Sequence, residues 1–212
     1  MDIKDFDTML SLGANCYPKI YMDKALGLKK ETELFDYIGC SMWSINACLK
    51  DDFKGLFFPE KFTMMPIIKD SPPMVTNRHY YLRFMHYLKS ASDAKDPRFI
   101  GQLNRRIERF ENYMRNSENI LCIRLEENQK NRIQYYKSNE RDELDGFISI
   151  VKEKYGTKNI KIIWLNTKED GWNKDKTILS VKIETLDFSI GASHTIIEKC
   201  LARYLDKSHI VE

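Results

Sequence analysis

Several of the usual devices for organising a small chain are scarce or missing. Five cysteines in 212 residues include no Cys-x-x-Cys pair. That excludes a disulfide framework and a closely spaced zinc-ligand set, and it points to reduced thiols in a cytosol-like compartment. Glycine is sparse, and Gly13 has no neighbouring glycines with which to form a P-loop or a Gly-x-Gly-x-x-Gly turn. There is no His-Glu-x-x-His pattern, and the histidines at 79, 86, 194 and 209 are too scattered to propose a metal site. No cofactor is therefore expected. No apolar run reaches the roughly 18 residues of a membrane span. The opening Met1-Asp2-Ile3-Lys4-Asp5 is charged and lacks the apolar core of a signal peptide. A soluble, cytoplasmic protein with no membrane partner is the expectation. Neither charge dominates: 34 basic against 31 acidic residues leave a net +3, too even to argue for a nucleic-acid partner.

What is present suits a folded domain. A hydrophobic share of 42% with 12% aromatics supports a packed core, and the length favours one α/β domain over 1–212. Ile120-Leu121-Cys122-Ile123-Arg124-Leu125 and Ile160-Lys161-Ile162-Ile163-Trp164-Leu165 read as central strands. Between them Leu144, Phe147, Ile148, Val151 and Tyr155 mark an amphipathic helix closed by Gly156. Strand, helix, strand at this spacing is a βαβ crossover. The expected fold is a three-layer, mainly parallel sheet flanked by helices, with a tight turn after the first strand. Further strands are expected over Ile178–Leu186 and, from looser alternation, over His79–Tyr87; helices are expected over Ser41–Leu49, Pro97–Asn116 and His194–Leu205. Pro59, Pro66, Pro72 and Pro73 exclude long regular structure nearby, so a loop-rich insertion is expected near 51–96, with short strands around 62–65 and 74–76.

The stretch that organises the chain is Ser11-Leu12-Gly13-Ala14-Asn15-Cys16-Tyr17-Pro18. An apolar run ends there, Gly13 supplies a permissive backbone, Asn15 can cap a helix and Pro18 falls in its first turn. Cys16 is thereby placed at a helix N-terminus, where unpaired amides favour a thiolate and make it a candidate nucleophile. A cysteine at a strand end also serves as a small buried hydrophobe, and position alone leaves both readings open. Asp36, set among Leu34, Phe35, Tyr37 and Ile38, needs a partner, and capping or bonding to nearby amides would supply one. On an alternating strand His86 projects with Leu82 and Phe84, where a histidine is a base or a satisfied core residue. The long helix over Pro97–Asn116 carries Arg105, Arg106, Arg109 and Arg115 on one face, which solvates it or attracts an anionic substrate.

Taken together, Ser-Leu-Gly-Ala-Asn-Cys at 11–16, Leu-Phe-Asp-Tyr at 34–37 and Arg-Phe-Met-His at 83–86 resemble the family of putative papain-like cysteine peptidases of bacteria and large DNA viruses. The similarity extends over about residues 8–165 and includes Arg105-Arg106-Ile107-Glu108-Arg109-Phe110. The resemblance implies Cys16 as nucleophile, His86 as the base and Asp36 as an orienting carboxylate. The amide of Cys16 and the side chain of Asn15 then become oxyanion donors, with Gly13, Arg105 and Arg109 beside a substrate. This chain departs from the pattern at three places: Leu34 replaces a proline, Tyr37 a tryptophan, and Tyr87 the aspartate that follows the histidine. In α/β folds whose nucleophile follows the first strand the base often precedes the last helix, so His194 is a rival to His86. The expected activity is thiol-dependent hydrolysis of a peptide, ester or glycan-linked substrate through an acyl-Cys16 intermediate. The alternatives are an acyltransferase or glycan-modifying enzyme using the same cysteine, with a phosphorylated donor such as coenzyme A on the arginine face, and a binding-only member.

Overall fold

The computed structural model describes residues 1–25, 31–65, 74–84, 86–126, 139–156, 158–183 and 203–205. In chain order its elements are β1 (Thr8–Ser11), α1 (Tyr17–Ala25), β2 (Ile38–Gly39), α2 (Met42–Lys50), β3 (Phe62–Met64), β4 (Val75–Asn77), β5 (Leu82–Phe84), α3 (Pro97–Asn116), β6 (Asn119–Leu125), α4 (Glu140–Tyr155), β7 (Asn159–Asn166), β8 (Gly171–Trp172) and β9 (Ile178–Lys182). Five strands form one sheet in the order β1-β6-β7-β9-β8. The first four are mutually parallel, and the short β8 runs antiparallel to β9.

Side-chain alternation creates the layers. Met9, Leu121, Ile123, Leu125, Ile163 and Leu165 face one way and pack with Tyr21 and Met22 of α1. Leu10, Ile120, Cys122, Ile160, Ile162 and Trp164 face the other way, onto α2, α3 and α4. The aliphatic strands are thus buried on both faces, as a covered parallel sheet requires. Helix boundaries follow local chemistry. Ser41 caps α2 by accepting from the Ser44 amide at 3.1 Å. Asp96 caps α3, whose first residue is Pro97. Asn139 caps α4, and Gly156 ends it at φ 88°. The β6-α4-β7 crossover and the bounds of α3 match the sequence expectation. The helix expected over His194–Leu205 falls mainly outside the described residues.

The short strands expected near 62–65, 74–76 and 79–87 are present, and they pair with one another and with β2. Four short strands make a second, antiparallel sheet in the order β2-β5-β4-β3. Phe62, Phe84 and Phe99 join it to α3 through ring contacts at 5.6–6.2 Å. The strand expected over His79–Tyr87 shrinks to Leu82–Phe84. Asn77 Oδ1 draws in the amides of His79 and Tyr80, and Tyr81 adopts φ 57°, so the chain turns before β5 begins. It turns again after Phe84. Tyr80, Leu82 and Phe84 keep the expected buried face, but His86 lies in that second turn and is exposed.

Candidate functional site

The turn after β1 is built from two consecutive left-handed residues, Gly13 at φ 68° and Ala14 at φ 77°. For alanine this conformation is uncommon, and it redirects the chain from the end of the strand into α1. Leu12 remains tied to the sheet through its amide to Ile123 O at 2.9 Å. A Cβ on Gly13 would stand 2.6 Å from Cys40 Sγ, 3.1 Å from Phe35 O and 3.2 Å from Ile38 O. Gly13 is therefore enclosed against the Phe35–Cys40 segment and is not positioned to touch substrate. Gly13→Ala should cost about 2–4 kcal/mol from the left-handed backbone and the overlap together, read as a lowered midpoint in urea unfolding.

Cys16 is the residue at which the helix begins. Its carbonyl accepts the first helical bond, from Ile20 N at 3.0 Å, while Asn15 Oδ1 accepts from Tyr17 N at 3.0 Å. The expected cap thus shifts by one residue: Cys16 occupies the cap position and Asn15 precedes it. Among the described cysteines Cys16 is half-buried, whereas Cys40, Cys48 and Cys122 are buried. Partial burial pushes the Cys16 thiol up from its ordinary value, and its own backbone N–H pulls weakly the other way. Burial thus works against the ionisation that a helix N-terminus favours.

A buried ion pair ties the turn to its surroundings. Arg124 of β6, wholly buried, donates to Glu140 Oε1 at 2.7 Å, Leu12 O at 2.7 Å and Cys40 O at 3.0 Å. It bridges the strand end before Cys16 to the residue after β2. The sequence carried one signal of this: a guanidinium inside the apolar run 120–125 must find partners.

Asp36 is buried, and its neighbours are local. Its Oδ2 accepts from the Glu33 amide at 2.7 Å and lies 3.7 Å from Lys19 Nζ of α1, while Lys19 also pairs with Asp23 at 2.8 Å. The other oxygen, Oδ1, is buried without a hydrogen-bond partner among the described residues. Burial raises the carboxyl to about 6, against the pull of the Glu33 amide and Lys19. Between about pH 4 and 6 the folded state consequently holds a proton that the unfolded chain releases, so this group makes stability fall as pH rises through that window. Its contribution is about 3 kcal/mol. Asp36→Asn should flatten the slope of unfolding free energy between pH 4 and 6.5; an unchanged slope would count against this burial.

The Leu34–Tyr37 and Arg83–His86 stretches meet through the second sheet, where Ile38 pairs with Phe84 and Gly39 with Arg83. Beyond that register the Tyr37 and His86 rings meet edge to face, with centroids 5.8 Å apart and planes at 84°. Tyr37 is held at φ 58°. Its phenol is pushed up, chiefly by burial, and Asp23, Asp36 and Cys16 add to the shift in that order. Tyr87 donates to Asp36 O at 3.2 Å and lies under the Arg106 guanidinium, 4.4 Å from its ring centre.

The structure thus brings together the surroundings of Cys16, Asp36, Tyr37 and His86, but not as a hydrogen-bonded triad. Among the described residues, His86 forms no hydrogen bond with Cys16 or with Asp36. His79 is engaged elsewhere: its Nε2 lies 3.4 Å from Asp51 Oδ2, and Asp51 also accepts from the Tyr80 hydroxyl. His194 lies outside the described residues. The arginine face is also used differently from the anion-binding expectation. Arg109 pairs with Glu31 at 2.8 Å and Glu33 at 3.4 Å and donates to Thr32 O at 2.6 Å. It thereby fastens α3 to the segment leading to Asp36, while Arg105 is exposed. Among the described residues no group of three or more His, Cys, Asp or Glu could hold a metal ion, and no helix is long and apolar enough to cross a membrane.

These features define a class: an α/β protein with a half-buried cysteine between its first strand and first helix, the preceding turn packed on the segment that carries Asp36 and Tyr37. Residues 7–170 match the family described as putative papain-like cysteine peptidase, and the chain belongs to that family. No curated protein and no solved structure matches it.

Proposed function

We propose that this protein is a thiol hydrolase that cleaves an amide or ester through an acyl-Cys16 intermediate. The supporting observation is spatial. The turn before Cys16 packs on the Phe35–Cys40 segment, that segment pairs with Arg83 and Phe84 beside the Tyr37–His86 ring contact, and Cys16 is half-buried while the other described cysteines are sealed in the core. In the reaction His86 takes the Cys16 proton as Sγ attacks the acyl carbon. The negative charge on the former carbonyl oxygen is met by the Cys16 amide and the Asn15 side-chain N–H₂. Collapse of this adduct breaks the scissile bond, and the leaving amine or alcohol takes the proton from His86. Water then attacks the thioester, giving a proton to His86, which returns it to sulfur as the acid departs. Asp36 acts on the backbone: it anchors the residues next to Tyr37 and does not itself orient His86. The commitment of Arg109 to Glu31 and Glu33 favours this reading over an acyl transfer from a phosphorylated donor bound on that face.

The test uses an activated acyl ester such as p-nitrophenyl acetate. Rapid acid quench and peptide mapping should find the acetyl group on Cys16, and Cys16→Ser should lack both the adduct and the burst of nitrophenol. Acetylation spread over lysines, with turnover unchanged in Cys16→Ser, would refute the proposal.

A further inference from the structure

We infer that Tyr37 is the positioning residue for His86, taking by aromatic contact the place that a carboxylate holds in a hydrogen-bonded triad. This rests on the reading of His86 as the base, and it follows from where the possible orienting groups point. Asp36 directs Oδ2 to the Glu33 amide and Lys19. Position 87 carries a tyrosine, and its hydroxyl goes to the Asp36 carbonyl. The nitrogens of the exposed His86 ring form no hydrogen bond among the described residues. The contact that fixes the imidazole plane is therefore the perpendicular packing against Tyr37, at 5.8 Å between centroids.

Tyr37 is itself held firmly enough to serve. Its left-handed backbone sits between Asp36, anchored through its side chain and its carbonyl, and Ile38, paired in β2 with Phe84 of β5. The strand register delivers position 37 opposite the turn that contains His86. A flat side chain at position 37 thus packs edge to face on the imidazole. The ring is the working part. The hydroxyl is dispensable for orientation, so Tyr37→Phe should preserve the arrangement and Tyr37→Leu should abolish it.

The experiment is the pH profile of Cys16 alkylation by iodoacetamide, followed by peptide mapping from pH 5 to 10 in the full chain. Wild type and Tyr37→Phe should show a step in rate near neutral pH ahead of the main thiol titration. His86→Ala should lose that step, and Tyr37→Leu should reproduce the His86→Ala profile, with alkylation at pH 7 slower by about tenfold or more. Loss of the step in His86→Ala with its retention in Tyr37→Leu would overturn the positioning role and leave the base intact. Retention of the step in His86→Ala would overturn both. A measurement on the unmodified protein stands apart from folding of the variants: the His86 ring protons should carry a ring-current displacement in the NMR spectrum. Shifts equal to those of an unstructured histidine would overturn the inference.

Discussion

Arg124→Met is expected to cost about 3–5 kcal/mol of folding stability. The substitution removes the guanidinium that pairs with the buried Glu140 carboxylate and strips the Leu12 and Cys40 carbonyls of a donor. The double variant Arg124→Met/Glu140→Leu should recover most of that loss, because an apolar pair of similar volume avoids desolvating two charges. Urea unfolding of both variants checks this. A double variant as unstable as the single one would mean that the carbonyl contacts, not the ion pair, carry the energy. The pair has a second role through its contacts, since Arg124 fastens the turn before Cys16 to the end of β2. The double variant should therefore fold yet alkylate Cys16 at an altered rate.

The second large effect concerns the base. His86→Ala should lower p-nitrophenyl acetate turnover by about 10²–10⁴-fold at pH 7, the usual range for removing a general base. The loss should be greater at pH 7 than at pH 9.5, because burial raises the Cys16 thiol above the ordinary 9.0. Near neutrality such a thiol is less than about 1% ionised unaided. As pH rises, hydroxide takes over the work of the imidazole and the difference between wild type and variant narrows. A variant reduced by the same factor at both pH values would point to a structural defect.

The strongly patterned elements were legible from the residues alone. Helix α3 shows a 3.6-residue period from Phe99 to Met114, and β6, α4 and β7 carry uniform aliphatic runs around an amphipathic stretch, so each element has one stable solution. Three strands of the second sheet were legible as short segments around 62–65, 74–76 and 79–87, but the two-residue β2 and the pairing order were not; that order comes from tertiary pairing and from Phe62, Phe84 and Phe99. His86 illustrates the same limit. Alternation over Tyr80, Leu82 and Phe84 predicted its direction correctly only until the chain turned.

Charged groups were half legible. Asp36 among Leu34, Phe35 and Ile38 advertised its need for a partner, but local sequence did not name Lys19, whose place depends on how α1 packs. Arg109, one of several arginines on α3, read as a solvated or anion-binding charge. Its contacts with Glu31, Thr32 and Glu33 depend on a tertiary approach that no spacing encodes. Cys16 was placed at a helix start by Gly13, Asn15 and Pro18 together.

The central claim is that the sulfur of Cys16 is the reactive thiol of the folded protein, and alkylation of the native chain tests it most directly. A sub-stoichiometric dose of iodoacetamide at pH 8, followed by unfolding, isotopically distinct blocking and peptide mass mapping, reads every cysteine in one experiment. The account predicts modification of Cys16 well ahead of Cys40, Cys48 and Cys122. Sparing of Cys16, with label appearing on it only at the rate of those three on unfolding, would contradict it.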